Sequence, residues 1–328
     1  MQPKHKRVVK KVINWIGVVF FIMAVLSIYT QLGRHSMADI KAAMLAIPGR
    51  NLAYALAACV MGYVVLAMYD RLALRYIGRT LEPWKWLLAG FLGFAISNNA
   101  GTAVVSGAAI RYHLYTRWKF RMNEIFKMII FSGFTYLVGC LFLVVAGSFL
   151  IPQDMRSSAT VTLAFWPCLV VLVGYFAMAA FYKRELRVGE YSMKMPTVGT
   201  ATMQAALGMC DSLLASLVLY SVLYPLVQVP FNIYVGVFVI SQVLGVFTPV
   251  PGALGVFEGL FLFLLPDARG NEAAVFGALI AYRVIYFLIP LIVTSIIILL
   301  VLPYMRFRKG QHIPAWIRRR GYTRLLSS

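Results

Sequence analysis

The stretch "TPVPGALGVFEG", Thr248 to Gly259, places two prolines, three glycines and a carboxylate between two strongly apolar runs. Proline removes a backbone donor and glycine weakens helix, so a helix entering this stretch is expected to break. The N–H and C=O groups freed by such a break find no partner in hydrocarbon. Irregular backbone at membrane depth is tolerated only where protein covers it or where it lines a wet cavity. Whether the flanking runs are membrane spans therefore decides the fold.

The 328 residues are 61% hydrophobic and only 13% charged. Eight apolar blocks fall at 12–30, 51–69, 84–110, 128–151, 159–182, 200–229, 231–265 and 273–304. Blocks of this length match a hydrocarbon core of roughly 30 Å, which points to an all-α polytopic membrane protein. The first block follows a basic segment, residues 1–11, and lacks a small-x-small cleavage site, so it reads as an uncleaved span. A single transmembrane domain is expected over 12–304, with halves at about 12–151 and 159–304, followed by a basic tail at 305–328. The 31 basic residues against 11 acidic ones lie mostly in short loops between blocks. That pattern reports membrane topology rather than nucleic-acid binding.

The third block is broken as well, by "ISNNAGTAVVSGAA" (Ile96–Ala109), which carries Asn98 and Asn99. If all eight blocks cross, Lys and Arg divide almost evenly between the two sides. If the third and seventh blocks fold back instead, only Arg34, Lys41, Arg50, Arg156 and Arg269 remain outside, with Arg283 set aside inside the last block. The positive-inside rule selects the second arrangement: six full crossings, two re-entrant hairpins and both termini in the cytoplasm. Each half then has three crossings, so the halves form an inverted repeat. Broken segments at corresponding positions of inverted halves are where transporters build substrate sites. The competing reading makes both interruptions kinks in complete spans. Ahead of the second block, "SMADIKAAMLAI" (Ser36–Ile47) has capping-box spacing and a helical period, which predicts a short interfacial helix on the outer face.

No HExxH, GxSxG or Walker pattern is present, and His5, His35, His113 and His312 read as membrane-edge or tail residues. Neither an enzyme, a metal nor a cofactor is expected. Cys59, Cys140, Cys168 and Cys210 lie inside apolar blocks without CxxC spacing and read as packing residues. Three charges stand where hydrocarbon is expected: Asp211, Glu258 and Arg283. At about 1.5 Å per residue Arg283 lies roughly 15 Å deep, so it needs a partner. Glu258 is the natural one, with Asp211 in reserve; the pair serves either transport or the fold alone. Pro251 and Gly252 suit the start of a half-helix whose N–H groups would face an anion such as phosphate. Gly255 and Gly259 have GxxxG spacing, which permits close helix packing. "RYHLYTRWKFR" (Arg111–Arg121) alternates cations with aromatic rings, as expected at headgroup level.

"PVPGALGVFEG" followed by "AYRVIYFLIP" resembles the transmembrane region of the lysylphosphatidylglycerol synthase and flippase family, in particular its YbhN-like members without the soluble synthase domain. Gly107, Arg111 and Leu114 in "SGAAIRYHLY" match that family's glycine-then-arginine motif, and the likeness covers essentially the whole chain. The resemblance implies translocation of a phospholipid between leaflets, with Glu258 and Arg283 as the buried acid and base and Gly252 and Gly255 in the hairpin. It departs in two places. The sequence ends at Ser328 without an aminoacyl-transferase domain, so synthase activity is not expected. Ala108 and Ala109 stand where many relatives have an acidic residue, which favours a generic anionic phospholipid over a cationic headgroup.

The function expected is thus flippase-like lipid transport in the inner membrane. An ion-coupled carrier of a small anionic solute uses the same broken-helix architecture, and a scaffold recruiting lipid-synthesis enzymes through the basic cytoplasmic face is a third reading. The partners implied are phospholipid and no nucleic acid, with a homo-oligomer left open.

Overall fold

The computed structural model describes residues 37–99, 103–150, 159–182, 185–188, 191–246, 253–265 and 270–307. The first span expected over 12–30, the basic N-terminus, Gly252 and the tail beyond 307 lie outside the described residues. The chain runs through α1 (Met37–Leu45), α2 (Gly49–Tyr76), α3 (Pro83–Asn99), α4 (Ala103–Arg117), α5 (Met122–Leu150) and α6 (Ala159–Phe181). A two-stranded antiparallel ribbon follows, β1 (Glu185–Val188) with β2 (Tyr191–Lys194). Then come α7 (Val198–Leu223), α8 (Phe231–Val246), α9 (Val256–Leu264), α10 (Glu272–Arg283), a π turn (Val284–Leu288) and α11 (Ile289–Phe307). Apart from this short ribbon the described residues are predominantly helical, as expected of a polytopic membrane protein. "ELRV" and "YSMK" are too short and too polar to bury as helix, and Val188 pairs directly with Tyr191, a pairing that suits residues favoured in strands.

Among the described residues, four stretches are long and apolar enough to cross a bilayer: α2, residues 122–149 of α5, α7, and the run from Glu272 to Leu300. At the centre, α2 and α7 pack antiparallel. Asn51 donates to the Ser221 carbonyl at one end (2.8 Å), and at the other Tyr76 donates to the carbonyl of Lys194, just ahead of α7. Helix α5 crosses α7 where Gly139 meets Gly208, so closely that a Cβ on Gly139 would fall 2.2 Å from the Gly208 backbone. Small residues let backbones touch in this way when no hydrophobic driving force exists between helices in lipid. Gly208→Val is expected to cost about 1–3 kcal/mol by overpacking. Its thermal midpoint in detergent is expected to fall by several degrees, and an unchanged midpoint would contradict the crossing.

The two broken blocks are antiparallel helix pairs. In the first, Gly107 of α4 lies against Ser97 and the Gly93 carbonyl of α3, and Arg111 lies against Gly93. In the second, Gly245 of α8 approaches Ala253, while Phe238 meets Phe257 and Tyr234 meets Phe261 on α9. Arms α3 and α8 have 17 and 16 residues, and α4 and α9 have 15 and 9, each short of a full span. The first pair opens at the Tyr76 end of α2. There Arg79 bonds the Lys119 carbonyl, pairs with Glu124 at 3.4 Å and covers the Phe120 ring at 4.6 Å. Loops 77–82 and 118–121 thus sit side by side. The second pair opens at the Asn51 end, where Tyr220 packs on Phe231.

The order α2, α3–α4, α5 has its counterpart in α7, α8–α9 and α10 through α11, and α1 packs on α10 as α6 packs on α5. Helix α1 is the short helix expected ahead of the second block. Its Ile40 is buried, and Ala43 lies 3.0 Å from where a Cβ on Gly277 would sit, so its apolar face is covered by α10.

Candidate functional site

Helix α9 starts at Val256, and Gly255 before it has φ +78°, a left-handed backbone that glycine adopts without steric cost. Glu258 then turns back on the start of its own helix. Its Oε2 accepts the Gly255 N–H at 2.7 Å and its Oε1 accepts Arg283 Nε at 2.6 Å. One carboxylate therefore caps α9 and neutralises an arginine from α10, whose guanidinium also lies over the Phe287 ring at 4.6 Å. The N–H of Gly255, at the helix start expected to face a phosphate, is taken by Glu258. Pro251 and Gly252 lie outside the described residues, and the helix that carries Glu258 begins at Val256. GxxxG packing is also corrected, because a Cβ on Gly259 would meet nothing within 4 Å.

A second ion pair, which the sequence reading missed, belongs to the first hairpin. Helix α2 continues past the expected end of the second block at residue 69, and Asp70 on its last turns is fully buried. Arg111 Nε lies 3.1 Å from both Asp70 oxygens, and the Tyr115 hydroxyl donates to Asp70 Oδ2 at 2.9 Å. Arg111 is 5% exposed and lies over the Phe94 ring at 4.2 Å. Gly93 makes the room, since a Cβ there would sit 2.8 Å from Arg111 Cζ. Arg111 Nη2 is buried with no hydrogen-bond partner among the described residues. Arg111 is thus an interior residue of α4, not the headgroup-level cation that its segment suggested. The signal for Asp70 was available: Leu72, Ala73 and Leu74 carry the apolar pattern on, and no breaker occurs before Gly78.

Asp211 is not the reserve partner of Arg283. It is buried on α7 and accepts from Tyr69 (3.2 Å) and Tyr286 (3.5 Å). Tyr69 precedes Asp70, and Tyr286 follows Arg283 by one turn, so Asp211 lies between the two ion pairs. At the tip of the first hairpin, Asn99 Nδ2 donates to the carbonyls of Ala95 (2.8 Å) and Phe287 (3.2 Å), and the Asn98 amide reaches the Tyr63 hydroxyl. Both asparagines therefore bind protein groups.

Of the motif residues in the first hairpin, Gly107 packs the arms together, Arg111 holds Asp70 and Leu114 is buried. His113 is half-buried on α4 beside Leu88, Leu92 and Ile297. Cys59, Cys140 and Cys168 are buried, whereas Cys210 is exposed. Among the described residues no three His, Cys, Asp or Glu side chains gather in a way that could hold a metal.

This chain matches no established family model. It is 32% identical over 283 residues to an uncharacterized protein, slr0712, of Synechocystis sp., covering 84% of this chain and 87% of that one. It is 25% identical over 310 residues to the inner membrane protein YbhN of Escherichia coli, covering 92% and 95% of the two chains. A phosphatidylglycerol lysyltransferase of Staphylococcus aureus is 24% identical over 303 residues, which span 89% of this chain but 35% of that protein, within its membrane region. With its apolar helices and the extent of these matches, the chain belongs to the family of YbhN-like multi-pass inner-membrane proteins, related to the membrane region of the phosphatidylglycerol lysyltransferases.

Proposed function

We propose that this protein moves an anionic phospholipid between the leaflets of the inner membrane. In this reading α3–α4 and α8–α9 are re-entrant hairpins that enter from opposite sides, and both termini are cytoplasmic. The observation that carries it is that each hairpin contributes one member of an ion pair in the protein interior, Arg111 of α4 to Asp70 of α2 and Glu258 of α9 to Arg283 of α10.

Arginine presents a planar fork of donors that suits a phosphodiester, and the unpartnered Arg111 Nη2 has a hydrogen bond to give. Because each guanidinium is already neutralised, a headgroup arriving there adds to a balanced site rather than to a bare charge. Such a site binds weakly enough to release its lipid, while the acyl chains stay in the bilayer. Phosphatidylglycerol, named as the substrate of the lysyltransferase relatives, has the single negative charge this arrangement accommodates.

The test is reconstitution of the purified protein into liposomes carrying a trace of fluorescent phosphatidylglycerol, with chemical quenching of the outer leaflet. Exchange well above that of protein-free liposomes is the expected result. A rate equal to that of empty liposomes, with and without a proton gradient, rejects the proposal, and stabilisation by a small anionic solute instead supports a carrier.

A further inference from the structure

The helix that carries Arg283 does not continue as a regular α-helix. At Val284–Leu288 it widens into a π turn, in which the Ile289 N–H reaches back five residues to the Val284 carbonyl. The cause is in the sequence. Pro290 has no N–H, so it serves neither the Tyr286 carbonyl, its partner in α register, nor the Ile285 carbonyl, its partner in π register.

Both orphaned carbonyls are met from α2. Cys59 Sγ donates to the Ile285 carbonyl at 3.3 Å and the Tyr63 hydroxyl to the Tyr286 carbonyl at 3.1 Å. Cys59 and Tyr63 are four apart on one helix face, the spacing that lets them address successive carbonyls. The next carbonyl, Phe287, receives Asn99 from the tip of the first hairpin at 3.2 Å.

A π turn inserts about one residue, which rotates the helix before it by about 100° relative to an uninterrupted α-helix. Arg283 is the last residue before the turn, and with the turn in place its Nε meets Glu258 at 2.6 Å. We infer that Asn99, Tyr63 and Cys59 are positioning residues, which hold the π turn open and so aim Arg283 at Glu258. The tip of the first hairpin thereby sets the ion pair of the second. This rests on the lipid-transport reading for its functional consequence, but the geometry it asserts can be tested separately.

The experiment uses the full-length protein labelled with 15N-arginine in nanodiscs, with the Arg283 Nε–H resonance assigned by its loss in Arg283→Lys. Tyr63→Phe keeps the ring that packs on Phe91 and Tyr286, and so keeps the fold. In Tyr63→Phe, Asn99→Ala and Cys59→Ala the Arg283 resonance is expected to move, and in Cys59→Ser, which retains a donor, it is expected to return toward the wild-type position. Lipid exchange is expected to fall about fivefold in Tyr63→Phe, the worth of one hydrogen bond, and Tyr63→Phe is expected to add nothing to the loss already caused by Arg283→Lys. An Arg283 resonance unmoved in Tyr63→Phe and Asn99→Ala overturns the inference. If wild-type protein exchanges no lipid while the resonance moves as expected, the transport reading fails and the positioning role stands.

Discussion

Arg111→Met is expected to destabilise the protein by about 3–5 kcal/mol, because it leaves the fully buried Asp70 with a tyrosine hydroxyl as its remaining donor. A buried pair is costly to assemble and more costly to break. Removing both charges avoids the uncompensated ion altogether, so Asp70→Asn combined with Arg111→Met is expected to recover most of the loss. Denaturation of the four proteins in mixed micelles measures this directly. Losses that simply add in the double variant would show that the two residues do not act as a pair.

Glu258→Gln is expected to leave a folded protein whose lipid exchange drops roughly 10- to 100-fold, the equivalent of one charge-assisted hydrogen bond. Glutamine retains an oxygen for the Gly255 N–H but leaves Arg283 without its counter-charge. The exchanged pair, Glu258→Arg with Arg283→Glu, separates two accounts. If charge balance alone mattered, the swap would restore exchange. Because Glu258 also caps α9, the swap removes the cap and is expected to remain inactive. Wild-type exchange in a monodisperse Glu258→Gln protein would reduce the pair to a structural element.

The two antiparallel helix pairs were legible in the sequence as breaks within apolar blocks, and the placement of Lys and Arg pointed to the same two blocks. Neither signal contains the pairing of side chains across the molecule. Glu258 and Arg283 could be matched as the charges that remained inside apolar blocks once Asp211 was held in reserve. Asp70 escaped because it borders on Arg71 and Arg75, and a charged neighbourhood reads as a loop until the apolar pattern of residues 72–74 is followed through it. Helix starts are equally hard to place. The start of α9 is fixed by a bond from the Gly255 N–H to Glu258, which a reading of turn residues alone does not contain. The π turn was hidden for the same reason: Pro290 announces a defect, but which side chains repair it depends on tertiary neighbours.

The donors that repair that turn come from far away in the chain, 188 to 226 residues from the carbonyls they meet. Contacts of such separation close last, after the local packing of α3 on α4 and of α8 on α9 has formed. Both hairpins can therefore be complete while the surroundings of Arg283 are still unmade. During synthesis, the arrival of the run from Glu272 to Phe307 is the event that turns a bundle of inserted segments into a finished site.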